Sequence, residues 1–115
     1  MCNHEFGIID NLQKDKDYGD EYTPEKYHCI SVHDDIINLL VGSLKTMKTY
    51  FHTMNRPDFG LAYYGITLIP PESLMRFQDI ILSSKKFRQS KELVELANLI
   101  SKAIEQNKYI IHYGI

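Results

Sequence analysis

The stretch from Leu61 to Ile69 limits the fold more than any other part of this chain. Leu61, Ala62, Tyr63, Tyr64, Ile66, Leu68 and Ile69 are apolar almost without a break, and Pro70-Pro71 then cuts the run short. A strand with one wet face alternates; a run this continuous belongs in the middle of a sheet. The prolines end it because proline donates nothing to a ladder and the residue before it avoids helical dihedrals. Pro71 also suits the first turn of a helix, and Leu74, Phe77, Ile80 and Ile81 follow at helical spacing with Glu72 at the positive end of the dipole.

Two further helices are predicted. His33-Asp34-Asp35 opens one, with Ile36, Ile37, Leu40, Leu44 and Met47 as its apolar stripe, although Gly42 weakens its interior by about 1 kcal/mol. Ser90 caps the other, whose inner face is Leu93, Leu96, Ala97, Ile100, Ala103 and Ile104. Strands are expected over Glu5–Asp10, over Tyr27–Val32, after about Lys45, over the Leu61–Ile69 run and over Tyr109–Tyr113, where the chain ends. Asn55-Arg56-Pro57-Asp58 reads as a turn. The order β-β-α-β-β-α-α-β is that of an α+β domain spanning residues 1–115. It implies a mainly antiparallel or mixed sheet of about four strands with two to three helices on one face.

Residues 11–26 interrupt this pattern with a long polar loop, a length that in compact domains usually signals function or mobility. The loop holds Asp15, Asp17, Asp20 and Glu21 beside Tyr18 and Tyr22. It makes the overall net charge of -2 misleading. Residues 1–40 carry nine acids against three bases, net -6, whereas residues 41–115 carry six acids against ten bases, net +4.

The 115 residues can bury one core without disulfides or structural metal. Cys2 and Cys29 are expected to be reduced thiols. No run reaches the roughly 18 apolar residues of a membrane span, and residues 1–7 lack the features of a signal peptide, so a cytoplasmic protein is expected. No motif of a nucleotide-binding loop, dinucleotide fold, zinc protease or serine hydrolase occurs. The histidines, of which His28 and His33 with Cys29 between come nearest to a metal spacing, do not form a metal motif, and Cys2 and His4 could add ligands only from a terminus. No cofactor and no catalytic residue is assigned. The basic window Lys85-Lys86-Phe87-Arg88-Gln89-Ser90-Lys91 is read as a solvated connector, because the pI of about 6.2 is far from that of a nucleic-acid-binding domain.

These features favour a protein-binding module over an enzyme. Its concrete form is an immunity or antitoxin-type inhibitor whose loop caps a basic protein partner such as a toxin nuclease. Asp15, Asp17, Asp20 and Glu21 would steer the encounter, and Tyr18 and Tyr22 would supply contact area. The rival is a small enzyme or ligand-binding domain with a pocket of His28, His33, His112, Tyr63, Tyr64 and Tyr113. A third reading is a homodimer through a sheet edge near Tyr109–Ile115.

Overall fold

A computed structural model describes residues 2–115. Strand β1 (Asn3–Ile9) leads through the long loop to β2 (Ile30–His33), helix α1 (Asp34–Leu44), β3 (Lys48–Phe51), β4 (Pro57–Phe59) and β5 (Ile66–Ile69). Helices α2 (Pro71–Leu82) and α3 (Lys91–Gln106) and strand β6 (Tyr109–Tyr113) complete the chain. The six strands form one antiparallel sheet in the order β2-β1-β6-β5-β3-β4.

The α+β class and the three helices agree with the sequence, while the sheet has six strands, against about four expected for the sheet and five in the predicted order. The strand absent from the predicted order is β4, hidden in the turn cluster. It is three residues long and lies at the sheet edge, where Pro57 costs no ladder bond on the side facing solvent. The central strand is shorter than expected. Only Ile66–Ile69 is extended, all four residues buried, and residues 61–65 turn instead, the Gly65 N–H donating to the Ala62 carbonyl at 3.0 Å. Strand β2 likewise starts at Ile30, because Pro24–Tyr27 forms a 3-10 turn that ends with His28 in the left-handed region at φ 51°. The sheet edge expected near Tyr109–Ile115 does not exist, since β6 pairs with β1 on one side and β5 on the other.

Local chemistry accounts for the helix ends. The His33 ring accepts the Asp35 N–H at 3.0 Å, the Ser90 hydroxyl accepts the Leu93 N–H at 3.2 Å, and Asn107 takes the left-handed C-terminal position. The helices cover one face of the sheet, where Phe6, Val32, Ile69 and Ile110 meet Leu40, Leu44, Leu74, Phe77, Leu93, Leu96 and Ile100.

The other face has its own core. Ile9, Ile66, Leu68, Ile111 and Tyr113 point away from the helices and are closed over by Leu12, Tyr18, Tyr27 and Cys29 of the loop. The same continuous apolar character that places β5 and β6 in the interior demands this second cover. Close approach of the loop rests on Gly7, where a Cβ would lie 2.8 Å from the Tyr27 carbonyl oxygen and 2.7 Å from Cys29 Sγ. Gly7→Ala is therefore expected to destabilise the fold by about 1–3 kcal/mol, read as a lower urea midpoint with unchanged slope.

Candidate functional site

The loop is held to the sheet by a few side chains and leaves its charge outside. Tyr18 is buried, with its hydroxyl accepting the Gln13 N–H at 2.9 Å, and its own N–H donates to the His52 carbonyl at 2.8 Å. Of the six residues expected to meet a partner, Tyr18 thus belongs to the second core. Asp15, Asp17, Asp20, Glu21 and Tyr22 lie exposed. Asp17 caps the turn Tyr18–Asp20 by accepting the Gly19 N–H at 2.8 Å. Tyr22, 64% exposed, packs edge-on against Tyr113 with ring centroids 5.1 Å apart and donates to Glu5, which raises its pKa to about 12.

The acids of the loop are not neutralised by the basic part of the chain. Asp10 pairs with Lys108 at 2.8 Å, which lowers its pKa. Among the described residues, Asp15, Asp17, Asp20, Glu21 and Glu25 form no ion pair. Two loop lysines face rings instead, Lys16 at 5.0 Å from the Tyr18 centroid and Lys26 at 5.6 Å from that of Tyr27. Lys85, Lys86 and Lys91 sit beside the helices, across the sheet from the loop, lining clefts with Leu39 of α1.

The histidines segregate in a way that the spacing did not indicate. His28 is exposed and His33 caps α1, whereas His112 is fully buried beside an equally buried His4. His4 Nδ1 and His112 Nε2 lie 2.8 Å apart, His4 Nε2 is 2.8 Å from Asp34 Oδ1, and His112 Nδ1 is 2.9 Å from Thr67 Oγ1. Tyr63 also donates to Asp34, and the Ala62 N–H donates to Thr67 at 2.7 Å. A carboxylate only accepts, so with neutral rings the protons can be placed in one way. Thr67 donates to His112, His112 to His4 and His4 to Asp34, and each ring nitrogen is satisfied. Burial, and then the neighbouring His4, hold the His112 pKa well below its usual value. The Tyr63 hydroxyl, with His4, holds that of Asp34 below the carboxylate range.

The rival pocket is accordingly dispersed. His112 and Tyr63 join one network through His4 and Asp34, but Tyr113 lies on the other face of the sheet, Tyr64 is 81% exposed, and His28 and His33 are elsewhere. The described residues contain no group of three or more His, Cys, Asp or Glu that could hold a metal. Burial raises the pKa of the free Cys29 thiol to about 12, which leaves it a poor nucleophile. No helix among the described residues is long and apolar enough to cross a membrane.

The class defined by these observations is a small α+β domain with three helices and a six-strand antiparallel sheet. Among solved structures it is similar to the Neisseria DNA mimic protein DMP12, with a TM-score of 0.52 and 15% identity over 98% of this chain and 99% of that one. At that identity the likeness establishes a common fold. No family model and no curated protein matches the sequence.

Proposed function

We propose that this protein is a binding module for a basic protein whose own ligand is nucleic acid, and that the loop face of the sheet is its contact surface. The observation that carries the reading is the set of exposed loop carboxylates, Asp15, Asp17, Asp20, Glu21 and Glu25, left without internal ion pairs on an ordered scaffold. Carboxylates presented on the surface of a folded loop can occupy the sites that phosphates would take on a cationic surface. The DNA mimic with the same fold supports the reading. So does the uneven charge along the chain, net -6 over residues 1–40 against +4 over residues 41–115, which makes orientation part of recognition.

Asp15, Asp17, Asp20 and Glu21 steer and orient the partner, Tyr22 supplies contact area, and Tyr18 holds the loop in shape. A toxin nuclease inhibited in the manner of an immunity or antitoxin protein is the narrowest form of this partner. The module binds the protein and not the nucleic acid. Its buried histidine network serves the fold, since its ring nitrogens are satisfied within the chain. Affinity capture on the immobilised protein at low and high salt, with and without added duplex DNA, tests the proposal. Retained proteins that bind DNA and are released by duplex or by salt are expected; retention of only neutral proteins, indifferent to both, contradicts it.

A further inference from the structure

Resting on the protein-binding reading, the geometry points to one specific contact within that surface: an arginine side chain of the partner inserted between the loop and the turn that precedes β5. A cleft of about 330 Å³ lies there, bounded by Asp20 and Glu21 on the loop side, by Tyr22, Tyr64 and Tyr113, and by His52. That volume is at the lower end of small-ligand sites and suits one long side chain better than a whole cofactor.

The walls define the chemistry. Tyr22 and Tyr64 are 64% and 81% exposed, the two most exposed large aromatic rings in the molecule, and both border the same cleft. Tyrosine faces attract a cation through their quadrupole, and a planar guanidinium can stack on a ring while its N–H groups reach a carboxylate in a fork. Asp20 and Glu21 provide such carboxylates, and neither makes a salt bridge with another described residue. The cleft is built into the backbone rather than left by loose packing. His52 takes φ 67°, and its ring lies against Gly19 and Gly65, where a Cβ on Gly65 would approach His52 Nε2 to 2.6 Å. The C-terminal residues close the remaining side, the Gly114 N–H donating to the Gly65 carbonyl at 2.7 Å. Loop, turn and terminus are thereby held around a fixed opening.

The test is an NMR titration of the full chain with acetyl-Gly-Arg-Gly-amide, with the citrulline peptide as a neutral analogue of the same shape. Saturable shifts are expected at the amides of Gly19, Gly65 and Gly114 with the arginine peptide, and none with citrulline. Tyr64→Ala removes a ring that is almost wholly in solvent and should leave the thermal midpoint unchanged while weakening the arginine peptide about three- to fivefold; Tyr64→Phe should retain its affinity. Equal responses to arginine and citrulline, absence of saturation, or an unchanged affinity in Tyr64→Ala would overturn the assignment. If the peptide fails but DNA-binding proteins are still captured, the arginine cleft falls and the broader reading stands. If the peptide binds but no DNA-binding protein is captured, the cleft stands and the broader reading falls.

Discussion

His4→Ala is expected to cost about 3–5 kcal/mol, a large share of the roughly 5–15 kcal/mol that holds a domain of this size together. The substitution opens a cavity on the helix-covered face of β1, beside His112, Tyr63 and Asp34, and leaves the His112 Nε2–H without an acceptor in a fully buried site, two penalties that add. Urea unfolding at pH 7.5 measures it. The same network gives the stability a pH dependence of definite sign. His112 is neutral in the folded state because burial depresses its pKa, whereas in the unfolded chain it titrates near 6.5. Above that value both states are neutral and the group contributes nothing to the slope. As the pH falls below it, the unfolded chain takes up a proton that the folded chain refuses, and stability declines by up to about 1.4 kcal/mol per pH unit, or about 2 kcal/mol by pH 5. His112→Gln should start less stable and lose this part of the slope. A pH profile for His112→Gln parallel to the wild type between pH 7 and 5 would show that the buried ring is not the group responsible. Asp34, whose pKa is lowered by Tyr63 and His4, adds a further loss only as the pH falls below its ordinary value of 3.8.

The second large effect concerns binding. Replacing Asp15, Asp17 and Asp20 by asparagine and Glu21 by glutamine should slow association with the basic partner by about 100-fold at low salt and flatten its salt dependence. The fold should survive, because asparagine caps the Gly19 N–H as well as aspartate does, and the other three carboxylates have no bond within the chain to lose. Stopped-flow association rates at several salt concentrations, with circular dichroism as the folding control, separate the two effects.

Periodicity revealed the elements that bury a stripe against a neighbour. All three helices lie close to the positions that their apolar spacing and capping residues indicate, and the interior place of β5 follows from its unbroken apolar run. Elements with few residues and special backbone geometry were obscure. Strand β4 is three exposed residues at an edge, and the left-handed His28 ends a turn where alternation suggested a strand. The separation of charge between the two parts of the chain was visible in the sequence. Which tyrosine of the loop turns inward was not, since Tyr18 and Tyr22 differ only in what the sheet offers them: Tyr18 finds an apolar floor and a backbone N–H for its hydroxyl, and Tyr22 finds only Glu5 and the edge of Tyr113. The buried network was beyond reach for a related reason. His4 and His112 are 108 positions apart and meet only because Phe6 pairs with His112, which sets His4 diagonally across on the same face of the sheet. With that register known, the shared parity of His4, Phe6, Ile110 and His112 would have revealed it.

If the loop face competes with nucleic acid for a basic protein, this protein must displace a bound duplex at equilibrium. A fluorescent duplex bound to the captured partner is titrated with this protein, and its anisotropy is followed at low and at physiological salt. Complete release of the duplex is expected with the wild type at close to one equivalent, and with the fourfold neutral variant only at roughly 100-fold higher concentration. A duplex that stays bound while this protein joins it in a ternary complex, or equal displacement by the two forms, would rule out competition through the loop carboxylates.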